Sequence, residues 1–328
     1  MRLDEFLRVR AELRATRPEL VDRSELDLYR SLASLDPIGF GPIAPTQDPQ
    51  AQYRCHVAER FLARLGLSPQ LKPRTQVSHG VRRSLRALFG LLAARGATLA
   101  IPDDVYPVYL RLADEAGVRV QPWSARAGLP DDRALAGVSG LLVCEPLKPW
   151  GRSLDPTERE RLRAWAQADP TRMLILDSAY ATPPSPSTLD LLHDESALVL
   201  VSLSKGWLIP DHVGLCVVPS RWQQATREAF ASLPKHESRL RIGFAALEDH
   251  GDRPERVAAK LASLAAELDA WTHARPALSC SACVGYFALA EQPFTTLLER
   301  GVLGVPASVF GGDEAAPRCV LSSLPVVR

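Results

Sequence analysis

Apolar and polar positions along this chain change their period twice. Residues 3–35 place Leu3, Phe6, Leu7, Leu13, Leu20, Leu26, Leu28 and Leu32 at helical spacing, interrupted by Pro18. Residues 36–45 are dense in Pro and Gly and read as loop. A helix over about 49–65 follows, with Tyr53, Val57, Phe61 and Leu62 on one side, ending at Gly66. From Thr75 the rhythm becomes an alternation. Strands are predicted at 75–78, 98–102, 118–120, 140–144, 173–177, 197–201 and 214–218, with helices at 81–95, 106–116 and 156–168. Asp155 before Pro156 predicts the cap of the last of these helices. After Pro219 the pattern is helical to about residue 273, with Leu261, Leu264, Leu268 and Trp271 facing a core. The tail returns to strands at 284–289, 302–306 and 319–321.

Strands that are apolar on both faces and alternate with helices predict an α/β fold, a mostly parallel sheet covered by helices. The late mixed segment predicts a small α+β domain built from both termini. The expected division is an N-terminal arm and part of the small domain over 1–45, a large domain over 46–235 and a C-terminal small domain over 236–328.

The chain has 328 residues, 46% hydrophobic and 23% charged, enough for one large domain and one small one. A formal charge of +1 gives no electrostatic case for nucleic acid or an acidic membrane surface. No apolar run reaches the roughly 18–20 residues of a membrane span, and residues 1–6 lack the apolar core of a signal peptide. Six cysteines are scattered, and the lone Cys280-Ser281-Ala282-Cys283 has no second ligand pair to make a zinc site. The expected setting is reducing cytoplasm, with no metal.

Candidate chemistry begins at Leu198-Val199-Leu200-Val201-Ser202-Leu203-Ser204-Lys205, a buried strand ending in two serines and a lysine. The chain has five lysines against 34 arginines, and Lys205 alone follows such a strand. A desolvated lysine can form a Schiff base; equally, a lysine at a strand end can snorkel to solvent. Ligands of an open parallel sheet sit beyond the carboxyl ends of its strands. Two more ends carry polar groups: Ser78-His79-Gly80, which opens a helix and offers amides to a phosphate, and Asp177-Ser178-Ala179-Tyr180. Each alone reads more readily as a turn or a cap. Together with Lys205 they suit a phosphorylated, electron-poor cofactor held by Schiff base and salt bridge, as pyridoxal phosphate requires.

On these residues the chain resembles the fold-type I pyridoxal-phosphate enzymes of the class I/II aminotransferase family. That family's Ser-x-Ser-Lys followed by Pro and Gly is matched by Ser202 to Lys205 and Pro210 to Gly214. Its Asp-x-x-Tyr is matched by Asp177 and Tyr180, and its phosphate turn resembles residues 78–82. Residues 103–109, Gly285-Tyr286-Phe287 and residues 306–311 resemble further runs, in the family's order. The resemblance implies a pyridoxal 5'-phosphate Schiff base on Lys205, which also moves a proton; Asp177 on the pyridine nitrogen; and Tyr180 on the phenolic oxygen. Tyr106 would stack on the ring, and Ser202, Ser204, Gly80, Val81 and Arg82 would hold the phosphate. Arg318 would clamp a substrate carboxylate, although as a residue it reads equally as a surface arginine. A homodimer is implied, with an amino acid and a 2-oxo acid as small-molecule partners.

Three departures stand out. Lys148 occupies the place of an asparagine that usually contacts the phenolic oxygen, where a cation would hold that oxygen as an anion. The usual phosphate arginine is missing, and His212 stands nearest its place. Phe40 stands where a tyrosine usually reaches the partner's phosphate, at the substrate side. The leading expectation is transamination between a small amino acid and a 2-oxo acid. The alternatives are a lyase, decarboxylase or cyclase of a specialised biosynthetic pathway using the same cofactor, and a non-catalytic homologue.

Overall fold

The structure is a computed structural model, and it describes residues 1–46, 53–147, 149–150, 152–181, 184–209, 213–234, 236–311 and 318–326. The chain opens with α1 (Leu3–Thr16), β1 (Val21–Asp22), α2 (Leu28–Leu35), α3 (Pro37–Phe40) and α4 (Tyr53–Arg64). Alternation then runs β2 (Thr75–Ser78), α5 (Val81–Ala94), β3 (Thr98–Pro102), α6 (Val108–Ala116), β4 (Arg119–Trp123), β5 (Gly140–Cys144) and α7 (Pro156–Gln167). It continues through β6 (Met173–Asp177), α8 (Pro186–His193), β7 (Ala197–Ser202), the single turn α9 (Leu203–Gly206) and β8 (Gly214–Val217). Helices α10 (Gln223–Ala231), α11 (Glu237–Asp249) and α12 (Arg253–His273) follow. The tail holds β9 (Phe287–Ala290), α13 (Phe294–Glu299), β10 (Val302–Leu303), β11 (Val305–Pro306) and β12 (Cys319–Ser322).

Among the described residues, seven strands form one sheet in the order β2-β8-β7-β6-β5-β3-β4. All neighbours are parallel except β8, which runs antiparallel to both β7 and β2. Every residue of β5, β6 and β7 is buried, because helices cover both faces and leave no polar side for alternation to mark. Helix α5 seals one face with Leu85, Leu88, Phe89 and Leu92. Helix α7 begins with the predicted cap: Asp155 accepts from the Glu158 amide at 2.8 Å, and Glu158 accepts from the Asp155 amide at 3.1 Å.

A second core joins the two ends of the chain. Phe6, Leu32 and Phe40 pack with Val257, Leu264, Tyr286, Val305 and Val320. The short sheet β11-β12-β9 lies here, and β1 pairs with β10 beside it. Helix α11 packs on α4 and adds Leu240 and Leu247 to the first core, which therefore continues past residue 235.

Local expectations fail where one residue redirects the chain. Residues 36–45 are not wholly loop: Asp36 accepts from the Gly39 amide at 2.7 Å and, with Pro37 after it, starts α3. The strand expected at 302–306 is cut at Gly304, so that β10 pairs with β1 and β11 with β12. A Cβ at Gly304 would stand 2.9 Å from Leu321 and 3.2 Å from the Val320 carbonyl oxygen, so the chain crosses there at backbone distance. Of the predicted helix over 49–65, the part from Tyr53 is described.

Candidate active site

Because β8 is reversed, β2 on its far side runs parallel to β7. The carboxyl ends of β2, β3, β5, β6 and β7 therefore all leave the sheet along one edge. The chain runs from β3 out to β4 and then returns to the other side of β3 as β5, the reversal of strand order where open α/β sheets bind ligands. A cavity of about 350 Å³ opens there.

Asp177 ends β6 in the floor of this cavity and is buried. Its Oδ2 accepts from the Tyr109 hydroxyl at 2.7 Å and its Oδ1 from the Ala179 amide at 3.0 Å. Burial pushes its carboxyl above the usual carboxylate value, against the pull of these two bonds. Among the described residues no cation pairs with it. Burial, and next the Asp177 charge, push the Tyr109 phenol well up. Tyr109 lines the cavity and was not among the residues expected there, although it sits three residues from Tyr106 in the same run.

One strand away, β7 ends at Ser202 and the chain turns at once into α9, which carries Lys205. Both Ser202 and Ser204 are buried in the cavity wall, and Ser204 Oγ accepts from the Val213 amide at 3.3 Å. Lys205 also lines the cavity, with Nζ 5.1 Å from the centroid of the Tyr180 ring. No carboxylate among the described residues is ion-paired with that amine. The Tyr180 ring packs at 6.1 Å on Tyr286, whose phenol is pushed well up by burial and by the Tyr180 hydroxyl it bonds.

At the other end, Gly80 takes φ +93° and ψ 156°, a conformation open to glycine, and turns β2 into α5. No side chain caps this helix, so its first amides and positive dipole end face the cavity that Gly80, Val81 and Arg82 line. Gly214 permits the close fit: a Cβ there would stand 2.8 Å from the Gly80 carbonyl carbon and 2.9 Å from the Val81 nitrogen. The Arg82 Nε donates to the Tyr106 hydroxyl at 2.9 Å, and the Tyr106 and Tyr109 rings meet edge to face at 5.2 Å. Burial raises the Tyr106 phenol, and Arg82 opposes that rise. The loop after β3 that carries Tyr106 is pinned by Asp104, which accepts from Ser124 Oγ at 2.6 Å and the Ala125 amide at 2.8 Å.

These groups fit pyridoxal phosphate at each of its polar ends. A buried carboxylate with no cationic partner among the described residues suits a protonated ring nitrogen. An amine that pairs with no described carboxylate suits an aldehyde, and an uncapped helix start suits a phosphate. Among the described residues no group of His, Cys, Asp and Glu is arranged to hold a metal ion.

Of the residues singled out in the sequence, Lys205, Asp177, Tyr180, Gly80, Val81, Arg82, Tyr106, Ser202 and Ser204 line this cavity. Lys148 and His212 lie outside the described residues. Arg318 and Phe40 do not line it. The register Cys319↔Ala290 sets Arg318 opposite Glu291, and the guanidinium pairs with that carboxylate. Phe40 belongs to the second core, 4% exposed, with the Arg256 guanidinium 5.5 Å from its ring centroid. Two further cavity residues come from the N-terminal segment, Leu3 and Leu26, and their role left no mark beyond their apolar character.

No family model matches the chain, and no curated protein matches it. Solved structures do. A probable N-succinyldiaminopimelate aminotransferase from Thermus thermophilus is 21% identical, with 98% of this chain and 95% of that chain covered and a TM-score of 0.71. The histidinol-phosphate aminotransferase from Clostridium acetobutylicum is 15% identical, covering 92% and 94% at a TM-score of 0.69. YbdL from Escherichia coli, for which a methionine aminotransferase function is identified, is 19% identical, covering 97% and 92% at a TM-score of 0.68. At these identities the likeness is one of fold. The chain shares the α/β fold of these aminotransferases over nearly its whole length.

Proposed function

We propose that this chain is a pyridoxal-phosphate-dependent aminotransferase that exchanges an amino group between an amino acid and a 2-oxo acid. The observation that carries the proposal is Asp177, a buried carboxylate without a cationic partner among the described residues, one strand from the turn that bears Lys205. Structures of similar fold include aminotransferases for several different substrates, which supports amino transfer more than any one of them.

When bound, the cofactor supplies an electron sink that acidifies the substrate's Cα–H. The residues of this chain do the rest. Asp177 would keep the ring nitrogen protonated, and Tyr109 would hold Asp177 in place. The first amides of α5, with Arg82, Ser202 and Ser204, would hold the phosphate. Tyr106 would cover a face of the ring, and Tyr180 would donate to its phenolic oxygen. Lys205 would hold the aldehyde at rest and, once released by substrate, move the proton from Cα to C4′. The assembly proposed with this activity is a homodimer, and the setting a reducing cytoplasm. Cys144, Cys216, Cys280, Cys283 and Cys319 are in no disulfide, and no helix of the described residues is long and apolar enough to cross a membrane.

One observation favours a lyase or decarboxylase using the same cofactor: Arg318, expected to clamp the substrate carboxylate, is engaged by Glu291. The test begins with the absorbance spectrum of the cofactor-loaded protein, then borohydride reduction and peptide mapping. A yellow band and a reduced cofactor on Lys205 are expected; a label on Lys148 overturns the assignment. Excess amino acid without keto acid then separates the two chemistries. A pyridoxamine product with release of a 2-oxo acid indicates transamination, whereas ammonia or carbon dioxide indicates the other.

A further inference from the structure

The two sides of the cavity differ in chemistry. Its charged side chains among the described residues are Arg82, Glu145, Asp177 and Lys205, and all belong to the sheet side. Glu145 is turned to its own loop, accepting from the Leu154 amide at 3.0 Å. The opposite side, supplied by the chain's two ends, is formed by Leu3, Leu26, Tyr286, Phe287, Val309 and Phe310. Leu3 is 38% exposed at this wall.

The wall is held from behind. Leu26 sits on a turn whose neighbour Glu25 is buried and accepts from the amides of Leu26 and Asp27, each at 3.0 Å. The same carboxylate is paired with Arg10 at 2.8 Å. Asp22 ties the turn's other end, accepting from the Ser24 amide at 2.9 Å and pairing with Arg14. Phe310 is fixed in a different way. Gly311, at φ +100°, lies so close to the Asp103 carbonyl that a Cβ would stand 1.9 Å from its oxygen. The Phe310 ring also packs on Phe287 at 5.9 Å. Leu26 and Phe310 are therefore set in place before any ligand arrives.

We infer that the substrate of this site is an amino acid with an apolar side chain, of the size of leucine, methionine or phenylalanine, seated against Leu3, Leu26, Val309 and Phe310. The inference rests on the proposed aminotransferase function and assigns its substrate class. A carboxylate or ammonium on the side chain would lose hydration against this wall, which carries no charged side chain among the described residues. An apolar side chain instead removes exposed leucine and phenylalanine surface from water.

The test uses the full chain loaded with pyridoxal phosphate. Steady-state kcat/KM, with a 2-oxo acid as acceptor, is measured for leucine, methionine and phenylalanine, and for aspartate, glutamate and lysine. The apolar set is expected to lead by about 100-fold. Leu26→Arg is expected to move the glutamate-to-leucine ratio by about 100-fold toward glutamate. Leu26→Ala, which removes only wall surface, is expected to lower kcat/KM for leucine by about tenfold and leave the cofactor band unchanged. If aspartate, glutamate or lysine reacts as fast as the apolar set, or if neither variant shifts the ratio, the substrate class is wrong while the aminotransferase assignment stands. A protein that takes up no cofactor overturns both.

Discussion

The Tyr109 hydroxyl donates to Asp177 Oδ2 at 2.7 Å, and both side chains are buried. Tyr109 lies in the first turn of α6 and Asp177 at the end of β6, so the bond ties the floor of the cavity to the segment that carries Tyr106. It also sets how readily Asp177 ionises, because burial raises that carboxyl and the Tyr109 bond works in the opposite direction.

Tyr109→Phe leaves Asp177 with the Ala179 amide as its remaining hydrogen-bond partner among the described residues. Loss of one bond to a buried carboxylate is expected to cost about 1–3 kcal/mol in the cofactor-free protein, read from urea unfolding. The acid limb of activity in the loaded enzyme should move to higher pH, since Asp177 then takes up its proton more readily. An unchanged limb would show that Tyr109 serves packing alone.

Asp177 also makes stability depend on pH. Its folded pKa is raised, so ionising it disfavours the folded state. Stability should fall as pH rises from the ordinary carboxylate value of about 3.9 through the raised one. A protonated ring nitrogen removes that penalty. The gap in melting temperature between loaded and cofactor-free protein should therefore widen with pH over this window, and a constant gap argues against a cation at Asp177.

Glu25 behaves in the opposite sense. Burial pushes its carboxyl up, but the Asp27 amide, Arg10 and the Leu26 amide outweigh it and hold the value below the usual range. Its stabilisation is present above the unfolded value of about 4.3 and is lost as pH falls through the lowered folded one. Glu25→Gln should lose about 1–3 kcal/mol at neutral pH by denaturant titration and approach the parent protein in acid. Equal differences at both pH values would refute the ion-pair account of this turn.

Gly214→Ala places a Cβ against the Gly80–Val81 peptide, which is backbone and cannot swing aside. The first turn of α5 must shift. We expect weaker cofactor binding by about 1–2 kcal/mol, roughly tenfold in Kd by spectral titration. Asp155→Ala is the control: it removes the α7 cap, costs about 1 kcal/mol of stability and leaves that Kd unchanged.

The sheet was legible because its central strands are covered on both faces, so runs such as Met173 to Asp177 are apolar until their last residue. The ends of those strands could be read for the same reason, since Asp177, Ser202 and Lys205 break runs that otherwise contain no polar residue. Arg318 could not be placed from local sequence, because its partner Glu291 is fixed by the antiparallel register of β12 on β9, 27 residues away. The bond from Tyr109 to Asp177 spans 68 residues and depends on how α6 starts beyond β3. The wall of Leu3, Leu26 and Phe310 was hidden in another way: it joins the two ends of the chain, and nothing in apolar spacing says which leucine faces a core and which a cavity.

The single reversed strand has a consequence for which ligands can span the site. Gly214 of β8 is paired with Ser78 on one side and Ser202 on the other, so the roots of the anion cradle and of the amine-bearing turn are two interstrand steps apart, about 10 Å. Hydrogen-bonded backbone, not side-chain packing, works here as a ruler. The facing wall can be recut by substitution without altering that length.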